Sequence, residues 1–289
     1  LGTDSLPDHV IDALGGPGVL TDMDGDGDLD LFVGIHADQL GLTGNYAQYM
    51  NDGAGNFTSE GGALLPQYSN DANGLWKGDL DSDGREDLLA LSDYNLYWFQ
   101  RMPDGALAAP VVIIADDIFG ILDLAVADID GDLDQDLVFA STSEVLAFFN
   151  TGNETFPAPV SLFPNQNASA VVVADLYGTG PIDIAFMTTP GIFTSHWTGS
   201  AFSTPQLVVP SALNLANIQL EARDVDGDGD TDLIGDGQIC FMNDGTGAFP
   251  VRSYVPIDPL NVAPMDFVDL DGDGRDEFIS ASLNSEVHQ

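Results

Sequence analysis

Residues 22–30 read DMDGDGDLD, and this stretch decides the fold because the chain repeats it six times. Each copy follows the pattern D-x-D-x-D-G-x-x-D or a degenerate form of it. We number these nine-residue loops one to six in chain order: 22–30, 79–87, 128–136, 175–183, 224–232 and 269–277. Successive loops start 57, 49, 47, 49 and 45 residues apart. Self-similarity at this period is typical of repeat architectures such as propellers.

The segments around each loop predict four strands per repeat. A short apolar run precedes the loop, as in GVLT (18–21), and a second follows it, as in DLLALS (87–92). A third run is rich in aromatic residues, as in LYWFQ (96–100), and a glycine turn such as NDGAGNF (51–57) leads into a fourth extended segment. Short apolar runs bounded by Gly, Asn and Asp indicate β-strands, and no helical period is sustained. The sequence therefore predicts an all-β fold, a β-propeller with one four-stranded blade per repeat.

The ends of the chain predict how the ring closes. The last repeat stops soon after its second strand, whereas residues 8–15 (DHVIDALG) resemble a fourth strand that lacks its first three. We expect the N-terminal strand to close the last blade, which removes open sheet edges. The prediction is a single domain, residues 1–289, with six blades.

The loops and the turns that follow them resemble the FG-GAP/VCBS repeat family. The matching signature is a strand, D-x-D-x-D-G-x-x-D, a second strand and then N-x-G-x-G-x-F, as in residues 51–57 and 243–249. The resemblance covers all six repeats and implies an integrin α-like, calcium-binding propeller of the kind found in integrin heads, fungal lectins and bacterial secreted proteins. Members usually have seven blades, which leaves seven open here, although the length and the loop count favour six.

The loops have the ligand chemistry of calcium, which takes six to eight oxygens in flexible geometry. Carboxylates at positions 1, 3, 5 and 9 would point inward, glycine at position 6 allows the sharp turn, and the carbonyl at position 7 adds a ligand. The predicted ligands are Asp22, Asp24, Asp26 and Asp30; Asp79, Asp81, Asp83 and Asp87; Asp128, Asp130, Asp132 and Asp136; Asp224, Asp226, Asp228 and Asp232; and Asp269, Asp271, Asp273 and Glu277. We expect about five structural Ca²⁺ ions.

Two loops depart from this pattern. Loop three has Leu133 at the glycine position but keeps its four acids, so we expect it to bind. Loop four has Tyr177 and Thr179 at positions 3 and 5, so we expect it to be metal-free, with Tyr177 holding the turn by packing or hydrogen bonding. On this reasoning Asp226→Ala should destabilise the protein far more than Asp183→Ala.

The charge supports cation binding and excludes several partners. The chain has 47 acidic and six basic residues, a net charge of −41, and only seven of the acids are glutamate. Packed carboxylates without a cation would repel one another and oppose folding. The alternative is that the aspartates are turn formers on an acidic surface. An excess of acids this large argues against nucleic acid and anionic membranes as partners.

The sequence also bears on the compartment. A single cysteine, Cys240, excludes an internal disulfide, and no apolar run is long enough to predict membrane insertion. We expect a secreted or cell-surface protein whose calcium ions stabilise it in place of disulfides. The N-terminal residues lack a basic and apolar leader, so a signal peptide is expected to have been removed or not included.

Candidate ligand residues lie in the long connections of the first repeat, residues 35–45 and 61–74, because binding concentrates on long loops of a rigid scaffold. They are His36, Tyr46, Tyr68 and Trp76. Charged residues just before the loops, such as Lys77, are interpreted as ion pairs rather than as a ligand site.

Three functions remain open on the sequence. The first is an extracellular recognition or adhesion module without enzymatic activity that binds carbohydrate or protein, as the lectin-like and integrin-like resemblance implies. The second is a polysaccharide lyase or other secreted carbohydrate-active enzyme, since related propellers include lyases that use His, Tyr and Arg. His196 beside Trp197 is either a sugar platform, an acid/base, or a half-buried strand pair. The third is a structural piece of a larger surface adhesin.

Overall fold

The fold is all-β. In a computed structural model of the chain, the structure describes residues 18–34, 46–63, 74–92, 94–115, 120–152, 155–180, 182–210, 220–235, 239–254, 262–268 and 277–282. These residues form 22 β-strands joined by turns and bends, and no helix occurs among them. Consequently, no described segment is a helix long and apolar enough to cross a bilayer.

Twenty of the strands form five four-stranded antiparallel sheets, each running in chain order from its first strand to its fourth. Blade one contains β1 (Gly18–Thr21), β2 (Asp30–Gly34), β3 (Tyr46–Asn51) and β4 (Phe57–Ala63). Blade two contains β5 (Gly74–Gly78), β6 (Asp87–Ser92), β7 (Asn95–Phe99) and β8 (Val111–Ile114). Blade three contains β9 (Ile121–Ala127), β10 (Asp136–Ser141), β11 (Glu144–Phe148) and β12 (Val160–Pro164).

The same plan continues towards the C-terminus. Blade four contains β13 (Ala168–Ala174), β14 (Asp183–Thr188), β15 (Gly191–Ser195) and β16 (Gln206–Pro210). Blade five contains β17 (Leu220–Arg223), β18 (Asp232–Gly235), β19 (Ile239–Met242) and β20 (Val251–Tyr254). A sixth sheet pairs β21 (Val262–Val268) with β22 (Glu277–Ser282).

The register of the first hairpin in each blade fixes the length of its aspartate loop. Thr21 pairs with Asp30, and Arg223 pairs with Asp232. The residue before the loop is therefore always opposite the aspartate at position 9, which is the first residue of the second strand. Loops one to five consequently have one length and one attachment to the sheet.

The chain divides into two compact units. Unit 1 comprises residues 1–79, 84–117 and 259–289, and unit 2 comprises residues 80–83 and 118–258. Blades one and two, with the sixth sheet, belong to unit 1, and blades three to five belong to unit 2. In unit 1, Phe32 of β2 packs with Leu88 of β6 and Phe99 of β7.

The second strand of a blade lies at the centre of the core in both units. Every residue of β6, β10 and β14 is buried, because strands covered on both faces are apolar throughout rather than alternating. Phe186 of β14, for example, stacks on Phe163 and Phe193 with ring centroids 5.2 and 5.6 Å apart. The fourth strands instead expose apolar side chains, such as Val111, which is 53% exposed.

The β-propeller prediction is confirmed, with five four-stranded blades described rather than six. The sixth sheet has two strands within the described residues. The N-terminal strand predicted at residues 8–15 lies outside them. The single domain of residues 1–289 stays a prediction.

Candidate metal centres and an adjoining cleft

The acid at position 1 shapes each loop by accepting backbone hydrogen bonds. In loop one, Asp22 accepts from Gly25 N at 2.7 Å and from Gly27 N at 3.1 Å, one bond to each carboxylate oxygen. Asp224 of loop five accepts the equivalent bonds at 2.7 and 3.0 Å. Bonds of this kind are charge-assisted, and they hold the chain in a tight turn around the carboxylate.

The acid at position 9 is a buried clamp. Asp30 is 1% exposed, and its two oxygens accept from Met23 N and Asn51 N, each at 2.7 Å. One bond closes the loop and the other joins it to the turn that follows β3. The equivalent backbone N–H groups donate to the other clamp acids, to Asp136 at 3.0 and 2.8 Å and to Asp232 at 3.0 and 2.7 Å. Sequence reasoning gave this acid only a metal-ligand role and missed the clamp.

In loops one, three and five the acids at positions 3 and 5 are exposed, and those of loop one accept fewer backbone hydrogen bonds than the acids at positions 1 and 9. Asp24 accepts a single bond from Asp26 N at 3.1 Å, and Asp26 accepts one from Asp28 N at 2.9 Å. Each carboxylate therefore keeps most of its lone pairs for another partner. These acids are the ones that loop four lacks.

Four loops bring three carboxylates together at a spacing that fits calcium. In each of them, one oxygen from each acid at positions 1, 3 and 9 lies within 4.8 Å of the others. The groups are Asp22, Asp24 and Asp30; Asp79, Asp81 and Asp87; Asp128, Asp130 and Asp136; and Asp224, Asp226 and Asp232. Ligands about 2.3–2.6 Å from a common ion lie up to about 5 Å apart, and an all-oxygen set suits a hard cation. The residues present therefore fit Ca²⁺.

The predicted ligands at position 5 are not part of these groups. They are Asp26, Asp83, Asp132 and Asp228. The ligands predicted in loop six, Asp269, Asp271 and Asp273, lie outside the described residues, and Glu277 is described only as the first residue of β22. Their role as ligands stays a prediction.

Burial and the charges of neighbouring acids oppose ionisation of two carboxyl groups at position 9, those of Asp30 and Asp136. Burial raises the pKa of Asp136 to about 6 from an ordinary value of 3.8, and the charges of Asp130 and Asp132 add to the rise. Backbone hydrogen bonds from Ile129 and Asn150 lower the pKa but do not cancel the rise that burial causes. Burial likewise raises the pKa of Asp30. A bound cation would remove this penalty, because it stabilises the charged form.

Loop three keeps the geometry of loops one and five despite Leu133. The residue adopts φ +79°, the conformation that glycine supplies at position 6 elsewhere, and its side chain is 81% exposed. Leu133 N donates to Asp128 at 3.1 Å, as Gly27 N does to Asp22. The turn is therefore formed at the cost of a strained backbone.

Loop four replaces its missing acids with an aromatic cluster. Tyr177 donates or accepts a 2.9 Å hydrogen bond with Thr194 Oγ1, and its ring lies 5.0 Å from that of His196. His196 Nδ1 is 2.8 Å from Asp183 Oδ1, so the histidine ring is paired with the buried carboxylate at position 9. Tyr177 thus holds the turn by both packing and hydrogen bonding, as expected from the sequence.

The clamp in loop four changes one ranking made from the sequence. Asp183 is fully buried and accepts backbone bonds from Leu176, Tyr177 and Trp197 at 3.0–3.2 Å. Removing it leaves several buried donors without an acceptor, so Asp183→Ala should be strongly destabilising whether or not metal is present. The expected ranking of Asp226→Ala above Asp183→Ala therefore does not follow from the structure.

The residues predicted to bind a ligand are not brought together in the described structure. His36 and Tyr68 lie outside the described residues, and Tyr46 is described only as the first residue of β3. Trp76 is half-buried in β5 and its ring covers Gly74, where a side chain would collide with it. Lys77 forms a 3.1 Å ion pair with Glu86, in agreement with the ion-pair interpretation.

A cleft in unit 1 was missed by the sequence analysis. It has a volume of about 590 Å³ and lies between blades one and two, against loop one. Apolar groups of Met50, Phe99 and Leu107 line it beside the polar groups of Asp24, Gln48 and Asp104. The turn at residues 102–107, MPDGAL, follows the third strand of blade two, and only the fold places it beside loop one.

Leu133→Gly should stabilise the protein by about 1 kcal/mol, because it relieves a left-handed backbone and loses little packing. The measurement is the melting temperature in calcium buffer. Leu122→Gly is the control, since Leu122 is also exposed (48%) but has no positive φ, and it should lower the melting temperature. A lower melting temperature for Leu133→Gly would contradict the assigned strain.

The metal-free protein should lose stability as pH rises from about 4 to about 6. The folded pKa of Asp136, about 6, is raised above its ordinary 3.8, so protonation favours the fold at low pH and this contribution is lost as the carboxyl ionises. Calcium should remove the trend by holding the carboxylates ionised. Melting temperatures across this range, with calcium and after its removal, test the point, and Asp136→Asn should flatten the metal-free curve. A metal-free melting temperature that rises with pH would contradict it.

Comparison with known proteins gives a family match and several fold matches. A model of the FG-GAP-like repeat matches residues 22–90, 79–139 and 128–186. No curated protein matches the sequence. Among solved structures, an Agrocybe aegerita lectin described as recognising non-reducing terminal N-acetylglucosamine superimposes with a TM-score of 0.64 at 20% identity, over 92% of this chain and 75% of the lectin.

Two further structures have a similar fold. The Tc holotoxin pore of Photorhabdus luminescens gives a TM-score of 0.59 at 18% identity, over 96% of this chain but only 14% of the toxin chain. A mutant of AofleA from Arthrobotrys oligospora gives a TM-score of 0.58 at 14% identity, over 85% of this chain and 74% of that one. At these identities the likeness concerns the fold alone.

The family matches overlap and together cover residues 22–186, more than half of the 289 residues. They begin at the first aspartate of loop one and include loops two, three and four and most of the first hairpin of blade four. The repeated aspartate loop, the clamp at its ninth position and the four-stranded sheets lie within the same residues. The chain belongs to the FG-GAP-like repeat family.

Proposed function

We propose that the protein is an extracellular, calcium-stabilised recognition module that binds a neutral carbohydrate. The observation that carries the proposal is the cleft of unit 1, where an apolar surface from Met50, Phe99 and Leu107 lies beside hydrogen-bonding groups. A sugar ring has an apolar face and a rim of hydroxyl groups, and it needs both kinds of surface. The fold of a lectin that recognises terminal N-acetylglucosamine supports this reading.

The charge of the protein narrows the carbohydrate class. The polar groups of the cleft include the carboxylates of Asp24 and Asp104, which accept hydrogen bonds from hydroxyls but repel anions. With a net charge of −41 the chain is poorly suited to uronates, sulfated glycans or other polyanions. A neutral hydroxyl-rich ligand is the class that this surface favours.

Calcium has a structural role in the proposal. The loops would hold it through the acids at positions 1, 3 and 9, and it would supply charge neutralisation at the start of each second strand. Binding that favours the folded state stabilises by mass action, by about 2.7 kcal/mol per site at a hundredfold excess over Kd. The several predicted sites would make the metal-free fold weak.

The metal assignment predicts different calcium responses for two aspartates. Asp226→Ala should reduce the rise in melting temperature that calcium produces over chelator, because it removes an exposed acid from a predicted site. Asp183→Ala should lower the melting temperature in both conditions and leave the calcium-dependent rise unchanged. An unchanged calcium response in Asp226→Ala, or no response in the wild type, would contradict bound calcium.

The cleft predicts which variants lose carbohydrate. Gln48→Ala and Asp104→Ala should each weaken binding of the responsive glycan about tenfold, the cost of losing roughly one hydrogen bond to a ligand. Gln206→Ala is the matched control, since Gln206 is an exposed glutamine on β16 of unit 2. A neutral glycan array with calorimetry of the best ligand, starting from N,N′,N″-triacetylchitotriose, is the measurement. Equal affinities for Gln48→Ala and Gln206→Ala would exclude this cleft.

The other two functions remain distinguishable by experiment. Polysaccharide lyase activity would need free histidine and tyrosine groups, whereas His196 Nδ1 faces Asp183 and the Tyr177 hydroxyl is bonded to Thr194. A lyase assay on the same preparation therefore accompanies the array. A folded, calcium-loaded protein without glycan or protein ligand would favour a structural piece of a larger adhesin.

The six-bladed ring also remains part of the proposal. The two-stranded sheet β21–β22 repeats the first hairpin of the other blades, and residues 8–15 have the pattern of a fourth strand. We infer that they belong to one blade. Pairing of these residues in an experimental structure would test the closure, and a seventh blade would overturn it.

A further inference from the structure

We propose that filling loop one with a divalent cation controls the cleft between blades one and two, so that ligand binding there depends on calcium through loop one alone. The nature of the ligand rests on the proposed function. The coupling itself rests on contacts within unit 1 and has its own test.

Loop one and the cleft share residues. Met23 and Asp24 line the cleft, and Asp24 also contributes an oxygen to the carboxylate group of loop one. Apart from one backbone bond, Asp24 has no partner within the described residues that fixes its carboxylate. A cation held by this group would fix one wall of the cleft.

The opposite wall is pressed against the backbone of loop one. It is the turn 102–107, closed by hydrogen bonds from Gly105 N to Met102 O at 2.9 Å and from Met102 N to Ala106 O at 2.8 Å. Gly105 has φ +84°, and a Cβ at this position would lie 2.7 Å from Met23 O and 2.8 Å from Asp24 Cα. No side chain separates the turn from the loop, so a shift of loop one must move the turn.

Arg101 joins the two walls directly. The residue is 3% exposed, and its Nη1 donates to Met23 O at 2.8 Å and to Gly105 O at 3.3 Å. Its Nη2 donates to Thr21 Oγ1 at 3.3 Å and its Nε to Glu86 O at 2.8 Å. One rigid guanidinium therefore fixes the cleft wall relative to loop one.

The residue that makes this link differs among the described blades. Asn51, Asn150 and Asn243 occupy the equivalent position after the third strand of blades one, three and five. Asn243, for instance, donates to the carbonyls of Leu176 and Thr231, both at 2.8 Å, and accepts from Gly245 N and Gly247 N of its own turn at 3.2 and 3.1 Å. Arginine is longer and has more donors, so Arg101 also reaches Thr21 Oγ1, the residue before loop one.

The expected behaviour follows from repulsion and linkage. Without a cation, the carboxylates of loop one repel one another, and the displacement passes through Met23 and Arg101 to the turn 102–107. Coupling between two sites is reciprocal, so a ligand in the cleft should raise the calcium affinity of loop one by the same factor that calcium raises ligand affinity.

Amide hydrogen exchange of residues 101–110, with and without calcium, tests the coupling without any sugar. Asp24→Asn removes the shared carboxylate, and Asp226→Asn is the matched control because Asp226 has the same position in loop five and does not line the cleft. Calcium should slow exchange at Met102, Gly105 and Ala108 about tenfold in the wild type and in Asp226→Asn, and not in Asp24→Asn. The comparison is made where circular dichroism shows all three proteins folded.

Arg101→Met provides a second variant that does not alter the acids, and it removes the donors that join loop one to the turn 102–107. It should retain calcium-dependent stabilisation of the whole protein but lose the calcium effect on residues 101–110. If calcium slows exchange of these residues in Asp24→Asn and Arg101→Met as much as in the wild type, the coupling is wrong. It is also wrong if calcium slows exchange in none of the three proteins.

Calorimetry with N,N′,N″-triacetylchitotriose separates this inference from the proposed function. Affinity should fall about tenfold on calcium removal in the wild type and in Asp226→Asn, and be low and calcium-independent in Asp24→Asn. Binding that is tight without calcium would overturn the coupling and leave the proposed function standing. Calcium-dependent exchange without binding of any glycan on the array would leave the coupling standing and overturn carbohydrate recognition.

Discussion

A buried carboxylate at the start of each second strand is the constraint on which the rest of the described structure depends. Asp30, Asp87, Asp136, Asp183 and Asp232 are all 0–1% exposed, and each accepts backbone hydrogen bonds from outside its own strand. In every case one donor is the residue that begins the turn after the third strand. The carboxylate therefore ties the loop, the second strand and the third strand together in a way that sheet hydrogen bonds alone do not.

Burial beside other acids opposes ionisation of the carboxyl group at position 9, as the raised pKa values of Asp30 and Asp136 show. Loop four shows which acids of the loop the backbone needs. Loop four keeps the acids at positions 1 and 9, which bond the backbone through Asp175 and Asp183. It replaces those at positions 3 and 5, which are exposed in loops one, three and five. The acids that loop four retains are therefore the two that accept backbone hydrogen bonds and shape the turn. Tyr177 and His196 lie side by side next to this loop in blade four.

In the proposed coupling, loop one affects ligand binding as well as stability, because it borders the cleft. Blade two has an arginine where blades one, three and five have asparagine, and a glycine turn that touches the backbone of loop one. Both features place one wall of a ligand-sized cleft in direct contact with a predicted ion site. In the proposed coupling, loop one differs from the other described loops because Met23 and Asp24 line this cleft.

The sequence by itself determined the strands, the loops and the family, since these depend on local patterns: apolar runs, glycine turns and aspartates at fixed spacing. The fixed spacing also pointed to the acids at positions 1, 3 and 9, which converge in four described loops, but it placed position 5 with them, which the structure does not. Tertiary structure alone decided the clamp role of position 9, the buried reach of Arg101 and the cleft beside loop one. Each of these joins residues from different hairpins, and for Arg101 and Met23 the separation is 78 residues. A local pattern carries no record of which neighbouring blade a side chain will meet, because that is fixed only when the sheets pack against each other.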